Sequence, residues 1–185
     1  MNRIEKLATR YEKHALGTWS QSLPGAQKVI FIVYPPEAER TLRAHLDLFR
    51  QATEGAGRKW THLDATGWFA EWIDKDDYRD DWFEDPEGLE DQLDESFLPL
   101  VANRVRAKLQ AAGPNDVVSL SGTGSLYGFL RVSNLIRAVE PDIPGRLVVF
   151  FPGQKKETSY RLLNARDGWN YLAQTITLDE ADDWS

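Results

Sequence analysis

The sequence predicts an α/β fold: a single domain with a mostly parallel four- to five-stranded sheet, covered by helices on both faces in a Rossmann-like three-layer arrangement, behind an N-terminal helix. Two observations carry this. Segments with helical spacing alternate with short apolar runs bounded by Gly and Pro. Those runs are apolar throughout, as expected of strands covered on both faces, rather than alternating with polar residues.

Ile4, Leu7, Tyr11 and Ala15 recur at spacings of three and four, so residues 1–16 read as a helix ending near Gly17. Residues 28–33 read as the first strand, closed by Tyr34-Pro35-Pro36 because neither proline can donate to a ladder. A helix follows over 37–54, with Leu42, Leu46 and Phe49 on its apolar stripe and Glu39/Arg43 as an i,i+4 pair on its wet side. Residues 59–63 read as the second strand, with Asp64 at its end and an aromatic helix around Trp68, Phe69, Trp72 and Ile73 after it. Leu89, Leu93, Phe97, Val101, Val105 and Leu109 predict a long helix over 87–111, which Pro99 should kink or divide. Residues 116–120 and 146–151 are the third and fourth strands, separated by a helix over 125–139. A short fifth strand is expected at 158–163 and a helical turn at 167–173. The domain is expected to cover 1–175, with an acidic helical insertion at about 74–95 and an acidic tail at 176–185.

The net charge of −7 is uneven. Residues 74–95 hold twelve acids and two bases, a net of −10, which leaves +3 on the rest. That pattern argues against a free-standing DNA binder and suits a basic protein surface. Trp82 and Phe83 lie inside the acidic run as candidate apolar anchors for partner docking. The chain has no Cys, which excludes a disulfide scaffold, a zinc–thiolate site and a Cys nucleophile. His14, His45 and His62 match no metal spacing, and the acids of the run lack the order of a calcium loop. No cofactor, metal site or catalytic residue is assigned. The charged start has no signal-like apolar region, and no apolar run is long enough to span a membrane, so the expected location is cytoplasmic.

Ligands of open parallel sheets bind beyond the carboxyl ends of the strands. Those ends should bring together Tyr34-Pro35-Pro36, Asp64, Ser121-Gly122-Thr123-Gly124 and Pro152-Gly153-Gln154 at one edge. Gly122, Thr123, Gly124, Ser125, Tyr127 and Arg131 form a candidate anion- or partner-binding group, with Tyr127 and Arg131 expected on one helix face. The turn has no phosphate-cradling lysine and no third spaced glycine, so it is a weak nucleotide fingerprint. A packed strand–helix corner accounts for the same glycines.

Four stretches resemble the BrxB family of BREX bacteriophage-exclusion systems. They are Val29-Ile30-Phe31-Ile32-Val33-Tyr34-Pro35-Pro36-Glu37; Leu63-Asp64-Ala65; Ser121-Gly122-Thr123-Gly124-Ser125-Leu126-Tyr127-Gly128-Phe129-Leu130-Arg131; and Leu147-Val148-Val149-Phe150-Phe151-Pro152-Gly153 followed by Tyr160-Arg161-Leu162-Leu163. The third is the most specific. The chain departs from the family at Ser121, where threonine is more common, at Gly128, where proline is more common, and at Asp167-Gly168-Trp169-Asn170-Tyr171, where an Asp-Asn-Tyr-Tyr-type stretch is common, as expected of a divergent or subtype member. The resemblance implies a non-catalytic adaptor or assembly subunit of an anti-phage defence complex. It implies protein partners among the other BREX components, PglZ (the alkaline-phosphatase-like component) first, and DNA association only indirectly through the complex. Two readings stay open beside it. One is a nucleotide- or phosphate-binding regulatory protein using residues 121–131. The other is a nucleic-acid-binding subunit using Arg104, Arg106, Lys108, Lys155 and Lys156.

Overall fold

The structure is a computed structural model that describes residues 1–156, 159–162, 165–170 and 173–178, without the side chains of 154–172. Asn2 starts the first helix, α1 (Arg3–Ala15), through a capping box: its side chain accepts the Glu5 N–H at 2.9 Å and the Glu5 carboxylate accepts the Asn2 N–H at 2.6 Å. Strand β1 (Val29–Tyr34) is buried along its whole length. It leads through Pro36 into α2 (Glu39–Gly55) and then β2 (Trp60–Asp64). Helices α3 (Trp68–Asp74), α4 (Arg79–Glu84), α5 (Pro86–Gln92) and α6 (Leu98–Gln110) precede β3 (Val117–Ser121). Helix α7 (Val132–Val139) precedes β4 (Arg146–Lys156), β5 (Ser159–Leu162), β6 (Ala165–Asn170) and β7 (Gln174–Ile176).

Strands β2, β3, β4, β1 and β7 lie side by side in that order, and each neighbouring pair is parallel. Alternation along β1 sets the two faces. Val29, Phe31 and Val33 join the core beneath α3, α6 and α7, while Ile30, Ile32 and Tyr34 join the core beneath α1 and α2. The chain therefore moves from β1 out to β2 over one face and returns through β3 to β4 over the other. Reversing both direction and face keeps the crossovers of one hand. The α1/α2 face closes around Phe49, whose ring meets Phe150 edge-on at 5.0 Å, a geometry worth about 0.5–1.5 kcal/mol beyond burial alone.

The expected division of the long helix is present, and three other expectations are corrected in detail. The long helix is divided into α5 and α6 by a π-helical turn, Leu93–Phe97, which places Pro99 in the first turn of α6, where its missing N–H does no harm. The helix expected over 125–139 exists only from Val132; Thr123–Leu126 is a 3₁₀ turn and Gly128 has φ +82°. The expected fifth strand is present as β5, but it pairs antiparallel with β4 and β6 and lies off the parallel run. The fifth parallel strand is β7, which the sequence reading passed over. Residues 167–170 are extended within β6, not helical, because they pair back on β5. The tail beyond residue 178 lies outside the described residues.

Candidate functional site

The loops after β1 and β3 leave the sheet toward opposite faces, and the end of β4 lies between them. This is a topological switch point, where open α/β sheets open a crevice. A cavity of about 200 Å³ sits there, lined by Pro36, Glu39, Arg43, Gly122, Gly124, Ser125 and Pro152.

Arg43 organises one side. Its Nε donates to Glu39 Oε1 at 3.0 Å, one terminal nitrogen to Asp64 Oδ2 at 3.2 Å, and the other to Thr66 Oγ1 at 2.5 Å. Asp64 Oδ1 accepts from the Thr66 hydroxyl at 2.5 Å and the Thr66 N–H at 3.0 Å. Burial raises the Asp64 pKa, but the Thr66 donors and Arg43 outweigh it, and the net shift is downward. The Tyr34 hydroxyl donates to Glu39 Oε2. Burial, then that hydrogen bond to a carboxylate, push the Tyr34 phenol far above its ordinary value, so it stays a protonated donor.

Gly122 turns the chain at the end of β3 with φ +74°. A Cβ there would stand 2.5 Å from Asp64 Oδ1 and 2.6 Å from both the nitrogen and the Oγ1 of Thr66. The glycine is therefore required twice, by its left-handed backbone and by the approach of the Asp64 loop. Beyond it, the Thr123 hydroxyl donates to the Phe150 carbonyl at 2.7 Å, and the Ser125 N–H returns to the Gly122 carbonyl at 3.0 Å. Phe129 stacks on Phe69 of α3 at 3.6 Å, which holds the loop against the helical layer.

A second polar group lies just inside the sheet edge. His62 Nδ1 is 2.7 Å from Ser119 Oγ, and Nε2 is 3.0 Å from Ser121 Oγ. Ser119 donates to the Thr61 carbonyl at 3.2 Å, which assigns the Nδ1–H of His62 as the donor to Ser119 and leaves Nε2 to accept from Ser121. Burial lowers the His62 pKa; Asp64 opposes the shift and Arg43 adds to it. Ser121 is only 2% exposed, so this hydroxyl is held within the sheet and away from solvent.

The model of the family described as BREX protein BrxB matches residues 63–176, more than half of the chain. The chain belongs to the BrxB family. It is thereby a component of a BREX anti-phage system, and its partners are to be sought among the other BREX components. No curated protein and no solved structure matches it. The matched span of this BrxB-family chain holds Asp64, the Gly122 turn and Pro152, whereas Tyr34, Glu39 and Arg43 lie before it.

Of the expected anion- or partner-binding residues, Gly122, Gly124 and Ser125 line the cavity. Thr123 is fully buried and tied to β4. Tyr127 and Arg131 do not share a helix face: Tyr127 is 48% exposed in the turn, and Arg131 is the extended N-cap of α7. Gly128 is the reason, since its left-handed backbone ends the 3₁₀ turn before a helix can propagate. Of the docking candidates, Phe83 is 69% exposed, while Trp82 packs against the core, close over Gly88. Arg104 and Arg106 of the nucleic-acid reading are paired with Glu71 at 3.0 Å and Asp142 at 2.9 Å. Among the described residues there is no cluster of ligands for a metal ion and no helix long and apolar enough to cross a membrane.

Sequence reading missed the role of Arg43 and the His62–Ser119–Ser121 group. Arg43 stood out only as an i,i+4 partner of Glu39. Its reach to Asp64 depends on where α2 lies over the sheet, which no local pattern encodes. His62 faces Ser119 because the two are register partners in β2 and β3, a fact of strand order.

Proposed function

We propose that this BrxB-family chain is a non-catalytic adaptor or assembly subunit of a cytoplasmic BREX complex, that it binds a PglZ-type phosphatase-like partner, and that it meets DNA only through that complex. The observation carrying this reading is the state of the polar groups at the switch point. Arg43, Glu39, Asp64, Thr66 and Tyr34 bond one another. Ser125, the one hydroxyl among the residues lining the cavity, has no histidine or carboxylate bonded to it among the described residues. A site so internally satisfied fixes loop positions, whereas a nucleophile needs an adjacent base. Affinity purification of the tagged chain from cells expressing its operon should recover a stoichiometric PglZ-type protein. Recovery of a monomer alone would overturn the reading.

The second reading is a nucleotide- or phosphate-binding regulatory protein, favoured by Arg43 standing beside Gly122, Gly124 and Ser125 in one cavity. Against it, Arg43 already faces Glu39 and Asp64, and the Ser125 N–H is engaged by Gly122. Calorimetry against nucleotides decides between them. Heat that Gly124→Val abolishes would favour the second reading.

A further inference from the structure

Helices α3 and α4 border a groove of about 670 Å³. Its apolar lining includes Ile73 from α3 and Phe83 from α4, and its charged lining is Glu71, Asp74, Arg79 and Asp80. Phe83 is 69% exposed, and Tyr78, at the start of α4, is 65% exposed. Phe83 thus sets an open aromatic ring in the groove, and Tyr78 adds a second exposed ring at the start of the same helix. The single base lining the groove beside them is already countered: Arg79 pairs with Asp74 at 2.5 Å and Asp80 at 3.6 Å. Asp77, Asp81 and Glu84, on and beside α4, have no cationic partner among the described residues.

The charge decides the occupant. A second copy presenting the same face would bring the −10 of residues 74–95 against itself. Nucleic acid would meet the same repulsion. Resting on the assembly reading above, we propose that this groove receives the apolar face of a basic amphipathic helix from a protein partner. Phe83 is the apolar anchor, and the carboxylates of Asp77, Asp81 and Glu84, on and beside α4, face Lys or Arg on the flanks of the incoming helix. Helix-in-groove recognition takes this form: spaced apolar anchors supply affinity and the flanking charges supply orientation and specificity.

The test is a titration of the full chain with a helical Leu/Lys peptide and with a Leu/Glu peptide of the same apolar face, read by amide shifts. The Leu/Lys peptide should move amides of α3 and α4, weaken as salt rises, and bind about tenfold more weakly to Phe83→Ser while Phe83→Leu restores it. Phe83 is exposed, so neither change threatens folding. Equal binding of the Leu/Glu peptide, shifts confined to other elements, or indifference to Phe83→Ser would overturn the proposal. Purification from the operon background separates the two readings. A partner retained by Phe83→Ser removes the groove and leaves the assembly role. Failure of the unaltered chain to recover any partner removes the assembly role, and the peptide titration then judges the groove alone.

Discussion

Arg43 on α2 and Asp64 at the end of β2 form a 3.2 Å ion pair across the carboxyl edge of the sheet, and the same carboxylate caps the turn through Thr66. The Asp64 pKa is lowered in the fold. A carboxylate of lowered pKa contributes stability that is present above its ordinary value, near 3.8, and is lost as pH falls through the depressed value. Asp64→Asn should therefore flatten the acid limb of the stability profile. Because the side chain is half exposed, the loss at neutral pH should be modest, about 0.5–1 kcal/mol. Urea midpoints measured across the acid range check this; an unchanged acid limb would contradict it.

Gly122 and Gly128 both have positive φ, +74° and +82°, but their surroundings differ. A Cβ on Gly122 collides with Asp64 and Thr66, whereas one on Gly128 meets nothing within 4 Å. Gly128→Ala should cost only the left-handed backbone penalty, roughly 1–2 kcal/mol. Gly122→Ala should cost that and the displacement of the Asp64 turn as well, on the order of 3 kcal/mol or more. Denaturant unfolding of the two variants should separate them clearly. Equal losses would mean that the Asp64 loop moves aside freely.

His62 is neutral by virtue of burial, and its pKa lies below 6.5 in the fold. The unfolded chain therefore takes up a proton before the folded one does. Stability should fall as pH drops from about 7 toward the depressed value and level off below it. His62→Gln should remove that slope while keeping a side chain that can bond both serines. A proton-NMR titration placing His62 at or above its ordinary value would refute the argument.

The sequence made the layers legible because their signals are local. Val29 to Tyr34 and Leu147 to Phe151 are apolar at every position, which only strands covered on both faces sustain. Pro99 and Tyr34-Pro35-Pro36 announced their breaks through a missing N–H. The convergence of Asp64, the Gly122 turn and Pro152 at one edge followed from parallel pairing, which the register bears out. What escaped was non-local. Strand β7 is three residues long and belongs to the sheet only because β1 offers it an edge. The helix expected from Ser125 begins only at Val132, although Leu126, Leu130 and Leu135 are all buried. Gly128 interrupts it, and those leucines reach the core from a 3₁₀ turn, a loop and a separate helix.

Trp19 is contacted by two guanidinium groups, Arg58 at 3.4 Å and Arg146 at 4.6 Å from the ring centre. Arg146 is 5% exposed, and neither arginine has a carboxylate partner among the described residues. Their hydrogen bonds run to main-chain carbonyls, Arg58 to Gly17 at 2.6 Å and Arg146 to Gly145 at 2.8 Å. Burial lowers both pKa values, and the proximity of Arg58 lowers that of Arg146 further. The indole ring thus adds to those carbonyls an electrostatic compensation shared by two partly desolvated cations. Trp19→Ala should remove it from both at once and cost on the order of 2–4 kcal/mol, more than the ring's own partial burial would predict. Trp19→Phe, which keeps a weaker ring quadrupole, should recover about half of that. In a Trp19→Ala, Arg58→Met double variant the second change should cost less than it does alone, because the cation that lost its ring is gone. Urea unfolding of the four proteins measures that coupling; strict additivity would show that Trp19 acts by packing alone.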